Sequence, residues 1–562
     1  MKISIKYVLI SFLTITIVLF LSGCSPKYSK ETDPHKYLTF VLQEDQTYMV
    51  TGFSGDFIRD VIIPGEHDEH PVTKISDYAF INSPSIPFFG RNFLPIETLI
   101  IEEGIIHIGK SAFKDNGIHE ISLPESLLHV AMEAFMGNGT IASLPSGLIH
   151  IGAQAFSNTG LSGSIHIKNI YIEPWAFSGT KITDVIFEEG MTEIPEHLFY
   201  KTLELKSVEF PNSLLTIKEG AFRLTPKLTH IDFPINLESI GPSAFWDSGL
   251  EVLDFNHSVD IGEKAFYENS NLTTVRFNHP KITMNMYSFG LNQQLNNVEF
   301  NDLELIKPEA FIGSSLSGMS ISRTNPNYKM IDNAVSKQDN DLNYLILAPS
   351  NLTELTLFHH IGSYAYAGRT IDTLHIPTNI QTIEPYAFST SIISNLIIDA
   401  KIIKSNAFYY ADLGETIEIS SKLIEKLSFS NTSGFRILKL NEGVEHIEQE
   451  AFVVNLELEK VYLPNSLKII EMAVFLQCHN LKDVYYVLKE GTPADIYIGS
   501  FLIMKSNQLE NNRIYAKIYE DFRIHVEPEM YDKIRFAWSR IPQDEFYIYE
   551  GSLTDHIVKN VS

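Results

Sequence analysis

Residues 213–234 read SLLTIKEGAFRLTPKLTHIDFP, and this stretch decides the fold because its pattern recurs along most of the chain. In the first half, Ile217 stands five residues before Phe222, and Ala221 stands immediately before that Phe. The second half, residues 228–233, follows the pattern L-x-x-I-x-F. The question for the rest of the sequence is how regularly these two halves return.

Nineteen positions fall in the register of Phe222, and each has Ile, Val or Met five residues before it. Fifteen of the 18 spacings between neighbouring positions are 20 to 24 residues. A fixed period in the twenties indicates a solenoid, because each unit must stack on its neighbours to bury its apolar face. These anchors are Phe80, Phe113, Phe135, Phe156, Phe177, Phe199, Phe222, Phe245, Phe266, Phe289, Phe311, Val335, Tyr366, Phe388, Phe408, Phe429, Phe452, Phe475 and Phe501.

The second half of each unit predicts a short strand. Its last two apolar positions flank a single, usually polar residue, so the apolar pair points inward and the residue between them points to solvent. Proline often follows, as at Pro234, and it ends the strand because it cannot donate the next hydrogen bond. The I-x-x-x-A-F half is expected to form the return leg, where Ala lets neighbouring backbones approach closely. The strand pattern fits residues 205–210, 228–233, 272–277, 295–300, 352–357, 371–376 and 458–463.

The hexapeptides IGKSAF, IGAQAF, IGPSAF and IGEKAF, set between strands of the L-x-x-L-x-L type, resemble the BspA-like class of bacterial leucine-rich repeats. The resemblance covers roughly residues 37–541. It implies a β-rich leucine-rich repeat solenoid of about 19 stacked repeats, with parallel strands on the concave face and a cap at each end. The expected organisation is a signal peptide over 1–23, a lipidated Cys and tether over 24–36, an N-terminal cap over 37–70, the solenoid over 71–505 with an expanded repeat near 325–366, and a C-terminal cap and tail over 506–562.

The N-terminus predicts the compartment. Residues 1–20 carry Lys2 and Lys6 and then an apolar run, and LSGC follows at 21–24. A transmembrane anchor of about 20 residues is one interpretation, and a signal peptide that is removed is the other. The small residues before Cys24 resemble a bacterial lipobox, so we expect cleavage before Cys24, lipidation of its thiol, and a protein that is lipid-anchored in the bacterial cell envelope, facing the extracytoplasmic side.

Composition limits the partners. The chain has 43 Lys plus Arg against 69 Asp plus Glu, a formal net charge of -26, which disfavours nucleic acid as a ligand. Such a charge is explained by the need to keep an extended solenoid soluble. A specific cationic partner is the alternative explanation. The only Cys besides Cys24 is Cys478, so acylation of Cys24 would leave no intramolecular disulfide, and Cys478 is expected to be a small buried hydrophobe.

The solvent-facing residues of stacked strands form a ladder, and 19 repeats at about 4.8 Å each would make a surface of very roughly 90 Å. Extended surfaces of this kind bind proteins or peptides rather than enclose a small molecule. The middle of the ladder is acidic, and its C-terminal part is richer in aromatic residues such as Tyr462 and Tyr485. A merely solvated strand face explains any one of these residues equally well. The candidate partner-binding residues of the acidic part are Glu209, Asp232, Asp254, Arg276 and Glu299.

An enlarged step of the repeat supplies a second candidate contact site. SIPFFGRNFLP, residues 85–95, contains Phe88, Phe89 and Phe93 without an assigned core position. Exposed aromatic residues would mark a contact site. The alternative is that this segment folds back and covers a flank of the solenoid.

Motifs that would carry chemistry are weak. GIIHIGKS, residues 104–111, fits the phosphate-binding loop G-x-x-x-x-G-K-[ST], yet its last four residues fill the ordinary repeat slot, which favours coincidence. DNDLN, 339–343, begins like a calcium loop but lacks the Gly and Glu required later, so a polar turn is expected. EHDEH, 66–70, and the pair at 359–360 lack spaced partners for a metal. We therefore predict no catalytic residue, no metal site and no cofactor.

Three functions remain open from the sequence. The first is non-catalytic binding of extracellular or envelope proteins, with adhesion to host matrix or neighbouring cells implied by the family resemblance. The second is an envelope-structural or scaffolding lipoprotein with no host partner. The third is polysaccharide binding, for which Tyr462 and Tyr485 are too few to argue.

Overall fold

A computed structural model shows a parallel β-solenoid of about 19 turns with almost no helix. The predicted fold class is thereby confirmed. The residues that the structure describes are 37–53, 60–81, 96–486, 493–496, 503–510, 513–517, 522–528, 530–538, 547–550 and 557–559.

Most of the predicted L-x-x-L-x-L strands form one side of their turns, which we call the long-strand ladder, but the prediction is wrong for residues 228–233 and 352–357, to which no strand is assigned. Neighbouring strands pair in parallel and in register, so that Val275 lies beside Val298 and Phe277 beside Phe300. Burial alternates along each strand as the pattern requires. The strands are Asp60–Ile63, Thr98–Ile101, Glu120–Ser122, Thr140–Ile141, Ser162–Ile167, Lys181–Phe187, Ser207–Glu209, Val252–Phe255, Thr274–Phe277, Asn297–Phe300, Gly318–Ile321, Thr370–Ile376, Ile392–Ile398, Asp412–Leu413, Thr416–Ile419, Ile437–Leu440, Lys460–Leu463, Asp483–Tyr486, Arg523–Val526 and Ile557–Lys559.

A second ladder lies in the half that the sequence indicated only as a return leg. At most anchors, the aliphatic residue five positions before the anchor forms a two-residue strand with the residue preceding it, and we call this row the short-strand ladder. Ile306, five before Phe311, lies outside any assigned strand. Thr216–Ile217, for example, pairs in parallel with Ser239–Ile240. The other members are His107–Ile108, His129–Val130, His150–Ile151, Tyr171–Ile172, Glu193–Ile194, Asp260–Ile261, Thr283–Met284, His360–Ile361, Thr382–Ile383, Ile402–Ile403, Leu423–Ile424, His446–Ile447, Ile469–Ile470 and Asp495–Ile496.

The A-F dipeptide supplies a further line of main-chain contacts. The N–H of Phe222 donates to the carbonyl of Ala244 at 2.8 Å, and the N–H of Phe245 donates to that of Ala265 at 2.7 Å. The rings of Phe222 and Phe245 stack face to face with centroids 5.2 Å apart. Comparable stacking runs from Phe80 to Phe311 and again from Tyr366 to Phe475. The anchors from Phe80 to Phe311 and from Tyr366 to Phe475 therefore form the spine of the core, as the register predicted, and the last predicted anchor, Phe501, lies outside the described residues.

The expanded repeat departs from the register, and the place assigned to Val335 is wrong. Met330 and Val335 lie opposite each other in antiparallel strands, Lys329–Ile331 and Ala334–Asp339, which continue into Leu342–Leu347. The turns of Phe311 and Tyr366 stack directly instead, because the N–H of Gly313 donates to the carbonyl of Ala367 at 3.2 Å. A six-residue strand can pair antiparallel with its neighbour through a tight turn, which removes the need for a return leg.

The core divides into two adjoining clusters of buried side chains that meet at this insertion. The first runs from Leu38 to Leu347, and the second runs from Ala334 to Ile557. A 3₁₀ turn, Pro308–Phe311, precedes the insertion.

The remaining described elements lie toward the two ends of the chain. Strands Leu38–Leu42 and Tyr48–Phe53 pair antiparallel, and the second pairs with His70–Ile75, which continues into the short-strand ladder. Whether the end segments act as caps stays a prediction. The other elements are the strands Glu66–His67, Ile503–Glu510, Arg513–Lys517 and Tyr547–Glu550 and the helix Tyr531–Trp538.

Candidate binding surface

Three of the five candidate residues on the long-strand ladder form one ion-pair network. Asp254 and Arg276 are register partners, as are Arg276 and Glu299. The Arg276 guanidinium donates to the Asp254 carboxylate at 3.1 Å and to the Glu299 carboxylate at 3.1 Å. These hydrogen bonds raise the pKa of Arg276. Arg276 therefore offsets one of the two carboxylate charges, and this part of the ladder has a net charge of one negative.

The other two candidates lie where the ladder is interrupted. Glu209 ends the strand Ser207–Glu209 and pairs beside Ile186. Asp232 is predicted on a strand, but no strand is assigned to residues 229–233, and the long-strand ladder breaks here between the sheet that ends with Ser207–Glu209 and the sheet that begins with Val252–Phe255. Its carboxylate is 93% exposed and lies 3.3 Å from Nε2 of His230. Glu209 and Asp232 are exposed and lie outside the Arg276 network, so they are the carboxylates most available to a partner.

The aromatic part of the ladder is longer than the sequence indicated. Tyr462 and Tyr485 stack with centroids 4.8 Å apart, and the ring of His525 stacks on Tyr485 at 4.5 Å. His525 also contacts the Asp483 carboxylate at 2.8 Å. Sequence reasoning missed His525 because its strand follows the preceding ladder strand only after a long intervening segment. Since the rings cover one another's faces, they present edges rather than faces to solvent.

Two sets of predicted site residues lie outside the described residues. They are the lipidation site Cys24 and the aromatic residues Phe88, Phe89 and Phe93. Both remain predictions from the sequence.

The phosphate-loop match occupies an ordinary repeat turn, as expected. His107–Ile108 precedes it as a two-residue strand, and turns rather than a helix follow Ser111. The Lys110 N–H donates to the Asp77 carboxylate at 2.7 Å, and the Ser111 hydroxyl donates to Glu133 at 2.8 Å. Both of these donors would have to leave a carboxylate before they could bind a phosphate.

The clusters weighed as metal ligands have structural partners. Glu66–His67 forms a tight hairpin with His70, and the ring of His67 stacks on Phe40 at 3.8 Å. His360 stacks on Tyr344 at 4.3 Å. Over the described ranges, no group of three or more His, Cys, Asp or Glu side chains is placed to hold a metal ion.

The polar segment DNDLN is a turn, as predicted. It joins the antiparallel strands Ala334–Asp339 and Leu342–Leu347. Asn340 and Asp341 both adopt positive φ, at 45° and 67°, which is the conformation that a two-residue hairpin turn requires.

Cys478 is buried, as the sequence predicted. Its thiol donates to the carbonyl of Phe452 at 3.1 Å, and burial raises the pKa of Cys478 to about 12. Because a thiolate is the reactive form, this group has no nucleophilic character at neutral pH.

Many carboxylates that make the chain acidic bind main-chain N–H groups of an adjacent turn. Glu103 accepts from the N–H groups of Glu125 and Ser126 at 2.9 and 3.0 Å. Glu189 repeats this arrangement with Asn212 and Ser213 at 2.9 and 3.2 Å. Glu442 repeats it with residues 465 and 466 at 3.0 Å each. Part of the negative charge is therefore structural, and the signal for it is an E-G pair followed by P-x-S in the next repeat.

A row of imidazoles on the short-strand ladder is a second feature that the sequence analysis missed. His107, His129 and His150 occupy one ladder position, with centroids 5.9 and 6.0 Å apart, and Tyr171 continues the row. Burial, and then the neighbouring His129, lowers the pKa of His107. The signal is the residue immediately before the core Ile, which sequence reasoning treated as part of a return leg.

A family model described as the BspA type leucine-rich repeat region matches the chain in six overlapping copies, over residues 73–202, 149–273, 192–317, 259–392, 359–482 and 401–519. The chain belongs to this family. Its members are leucine-rich repeat surface proteins whose solenoids act as interaction scaffolds. No curated protein gave a significant match.

Solved structures with a similar fold include three from bacteria. A leucine-rich repeat protein from Bacteroides ovatus is 16% identical, with a TM-score of 0.38 and coverage of 84% of this chain and 100% of that one. A leucine-rich cell surface protein from Faecalibacterium prausnitzii is 17% identical, with a TM-score of 0.23 and coverage of 94% and 98%. The pneumococcal vaccine antigen PcpA is 14% identical, with a TM-score of 0.26 and coverage of 92% and 96%. Within the described part of our chain, we found no helix with the length and hydropathy needed to span a bilayer.

Proposed function

We propose that this protein is a non-catalytic, surface-exposed lipoprotein of the bacterial envelope whose solenoid binds extracellular proteins. The observation that carries the proposal is the long-strand ladder, whose sheets of parallel strands present rows of outward side chains in a member of an interaction-scaffold family. Its solvated carboxylates, Glu209 and Asp232, favour a partner with a basic contact surface. Such a partner would be steered by charge, so binding should weaken as salt is raised.

The test is capture of purified matrix proteins and of solubilised envelope proteins by the chain from Ser25 to Ser562, followed by affinity measurement for each captured protein. Glu209→Lys with Asp232→Lys is the test variant because neither residue belongs to the Arg276 network. Glu196→Lys with Glu219→Lys is the matched control, since both are exposed but lie off the ladder. We expect the test variant to lose at least tenfold in affinity and the control to lose much less.

Two other results would redirect the proposal. Equal loss in both variants would show that net charge, and not this ladder, attracts the partner. Capture of envelope proteins alone, together with resistance to protease added to intact cells, would favour the envelope-scaffolding function.

The lipid anchor has a separate test. Cys24→Ser should abolish incorporation of a labelled fatty acid and release the chain from the membrane fraction, because two acyl chains are needed for stable anchoring. Cys478→Ser is the control, since its thiol is buried, and it should leave labelling unchanged. Persistent labelling of the Cys24 variant would contradict lipidation at this residue.

A further inference from the structure

A cleft of about 480 Å³ opens beside the expanded repeat, where the regular stacking of turns is broken. On one side of the break, Gly318–Ile321 is the last strand of its sheet. On the other side, Thr370–Ile376 is the first strand of the next. The turns of Phe311 and Tyr366 nevertheless stack directly. The cleft therefore lies where the insertion interrupts the long-strand ladder but not the stacking of the turns.

Two half-buried tyrosines, Tyr267 and Tyr287, form one wall. Their rings meet edge to face with centroids 6.0 Å apart. Gly290 makes this arrangement possible, because a Cβ there would lie 2.9 Å from Cδ1 of Tyr287 and 3.0 Å from Cδ2 of Tyr267. The equivalent position after the anchor Phe holds Arg223, Trp246 or Tyr267 in earlier turns.

The rest of the lining is hydroxyl, amide and aliphatic. Gln293 donates to the carbonyl of Gly313 at 3.0 Å, which leaves its amide oxygen as an acceptor. Within the described ranges, neither tyrosine hydroxyl has a hydrogen bond to protein. Ile392 adds an apolar side chain that is 47% exposed. The other lining residues are Leu291, Ile312, Ser314, Ser315, Ser350, Gly368, Thr370 and Thr390.

The lining contains no Asp, Glu, Lys, Arg or His, in a chain that has 112 Asp, Glu, Lys and Arg residues, 69 acidic and 43 basic. Charged groups lie close to the lining without belonging to it. Burial, and then the neighbouring Glu268 carboxylate, raises the pKa of Tyr267. The Lys264 ammonium lies 5.8 Å from the Tyr287 ring centre and is itself paired with Glu263 at 3.2 Å. A charged ligand would lose hydration here without gaining an ion pair, which disfavours it. Hydroxyl and amide groups that both donate and accept suit a ligand with the same chemistry.

We propose that this cleft binds a neutral saccharide, with an aromatic wall for the C–H face of a sugar and hydroxyl and amide groups for its hydroxyls. The volume lies within the roughly 300–1,000 Å³ of small-molecule sites. The cleft is open at its side, so a residue within a longer polysaccharide chain can enter as well as a free oligosaccharide. The proposal does not depend on the protein-binding function, because none of its residues belongs to the long-strand candidates.

The experiment is native affinity electrophoresis of the purified full-length chain through gels containing a neutral polysaccharide: dextran, mannan, galactan or a mixed-linkage β-glucan. Gels containing hyaluronan or polygalacturonate test whether the chain also binds anionic polysaccharides. We expect retardation in at least one neutral gel and none in the anionic gels. Titration calorimetry with an oligosaccharide of the retarding polymer then gives the affinity.

Three variants make the result specific. Tyr267→Ala with Tyr287→Ala should reduce the affinity at least tenfold by removing the wall. Thr370→Trp, at an exposed lining position, should do the same by filling the cleft, and it leaves the aromatic packing intact. Tyr171→Ala, which removes a 66% exposed ring from the short-strand ladder, should have no effect. Absence of retardation by all four neutral polymers, equal retardation of the Thr370 variant, or binding to the anionic gels alone would overturn the proposal.

Discussion

At the scale of single residues, the Gly after the core Ile in I-G-x-x-A-F is required by contact between turns. A Cβ on Gly262 would lie 2.7 Å from the carbonyl carbon of Gly241 and 2.7 Å from the nitrogen of Pro242. Both atoms belong to main chain that is fixed by the short-strand ladder. The Gly that helps to define the repeat hexapeptides is thus explained by close packing between neighbouring backbones.

We predict that Gly262→Ala lowers the free energy of unfolding by about 1–3 kcal/mol, the range seen for overpacking in well-ordered interiors. Gly147→Ala is the control, because its nearest atom beyond the chain neighbours is 3.3 Å away and belongs to the Glu125 carbonyl. Chemical denaturation of both variants checks the prediction. Equal losses would show that the loss does not come from the short contact between Gly262 and the neighbouring turn.

At the scale of elements, the sequence predicts the apolar side of every turn and very little of the polar side. The inward pair of each long strand follows from a period of two, because only one alternation buries both residues. The short-strand ladder cannot be predicted from such a pattern, because a strand of two residues is too short to show a periodic alternation of apolar and polar residues. The Arg276 network and the stacking of His525 depend on which strands become neighbours, which the polar residues do not encode.

The cleft beside the expanded repeat was equally hidden from sequence analysis. The spacing of 31 residues between Val335 and Tyr366 reveals extra chain but not its path. An insertion can bulge outward, or it can form a hairpin that lets the turns of Phe311 and Tyr366 stack directly. Only the second arrangement separates the edges of the long-strand ladder and opens a site.

The carboxylates that bridge turns give a prediction at the same scale. Hydrogen bonds from the main-chain N–H groups of Glu125 and Ser126 lower the pKa of Glu103, and those of Asn212 and Ser213 lower the pKa of Glu189. A pKa that folding lowers contributes stability above the ordinary value of the group, and this contribution is lost as the pH falls through the lowered pKa. Both carboxylates therefore stabilise the solenoid at neutral pH.

Glu103→Gln with Glu189→Gln should lower the Tm at pH 7 by roughly one or two degrees, and the difference from wild type should vanish at pH values below the lowered pKa values. Glu219→Gln with Glu238→Gln, which removes two exposed carboxylates elsewhere, is the matched control and should change the Tm little at either pH. Thermal melts from pH 7 down to pH 3 measure both. A difference that persists unchanged at the acid end would show that side-chain shape, and not the carboxylate charge, holds the turns together.

At the scale of the whole molecule, the two core clusters are joined through one buried cation. Arg369 is 1% exposed, and it donates to the carbonyls of Phe311 at 3.1 Å, Ala367 at 3.2 Å and Ala348 at 3.2 Å. Burial lowers the pKa of Arg369 to about 10, so the side chain stays protonated at neutral pH. Phe311 belongs to the last turn of the first cluster, Ala348 to the insertion, and Ala367 to the first turn of the second cluster. One guanidinium therefore binds all three segments.

Arg369→Leu should therefore lower the free energy of unfolding by about 2–3 kcal/mol, because the buried Ala348 carbonyl loses its donor, and it should uncouple the two halves. Solenoid stability is a sum over turns and the interfaces between them, so weakening one central interface is expected to divide a single calorimetric transition into two. Limited proteolysis should then cut between residues 312 and 365. Arg436→Leu is the control, since that Arg is half-exposed and pairs with Glu459 at the surface, where ion pairs contribute little to stability. One undivided transition in the Arg369 variant, with no more loss of stability than in the control, would mean that apolar stacking alone joins the two halves of the solenoid.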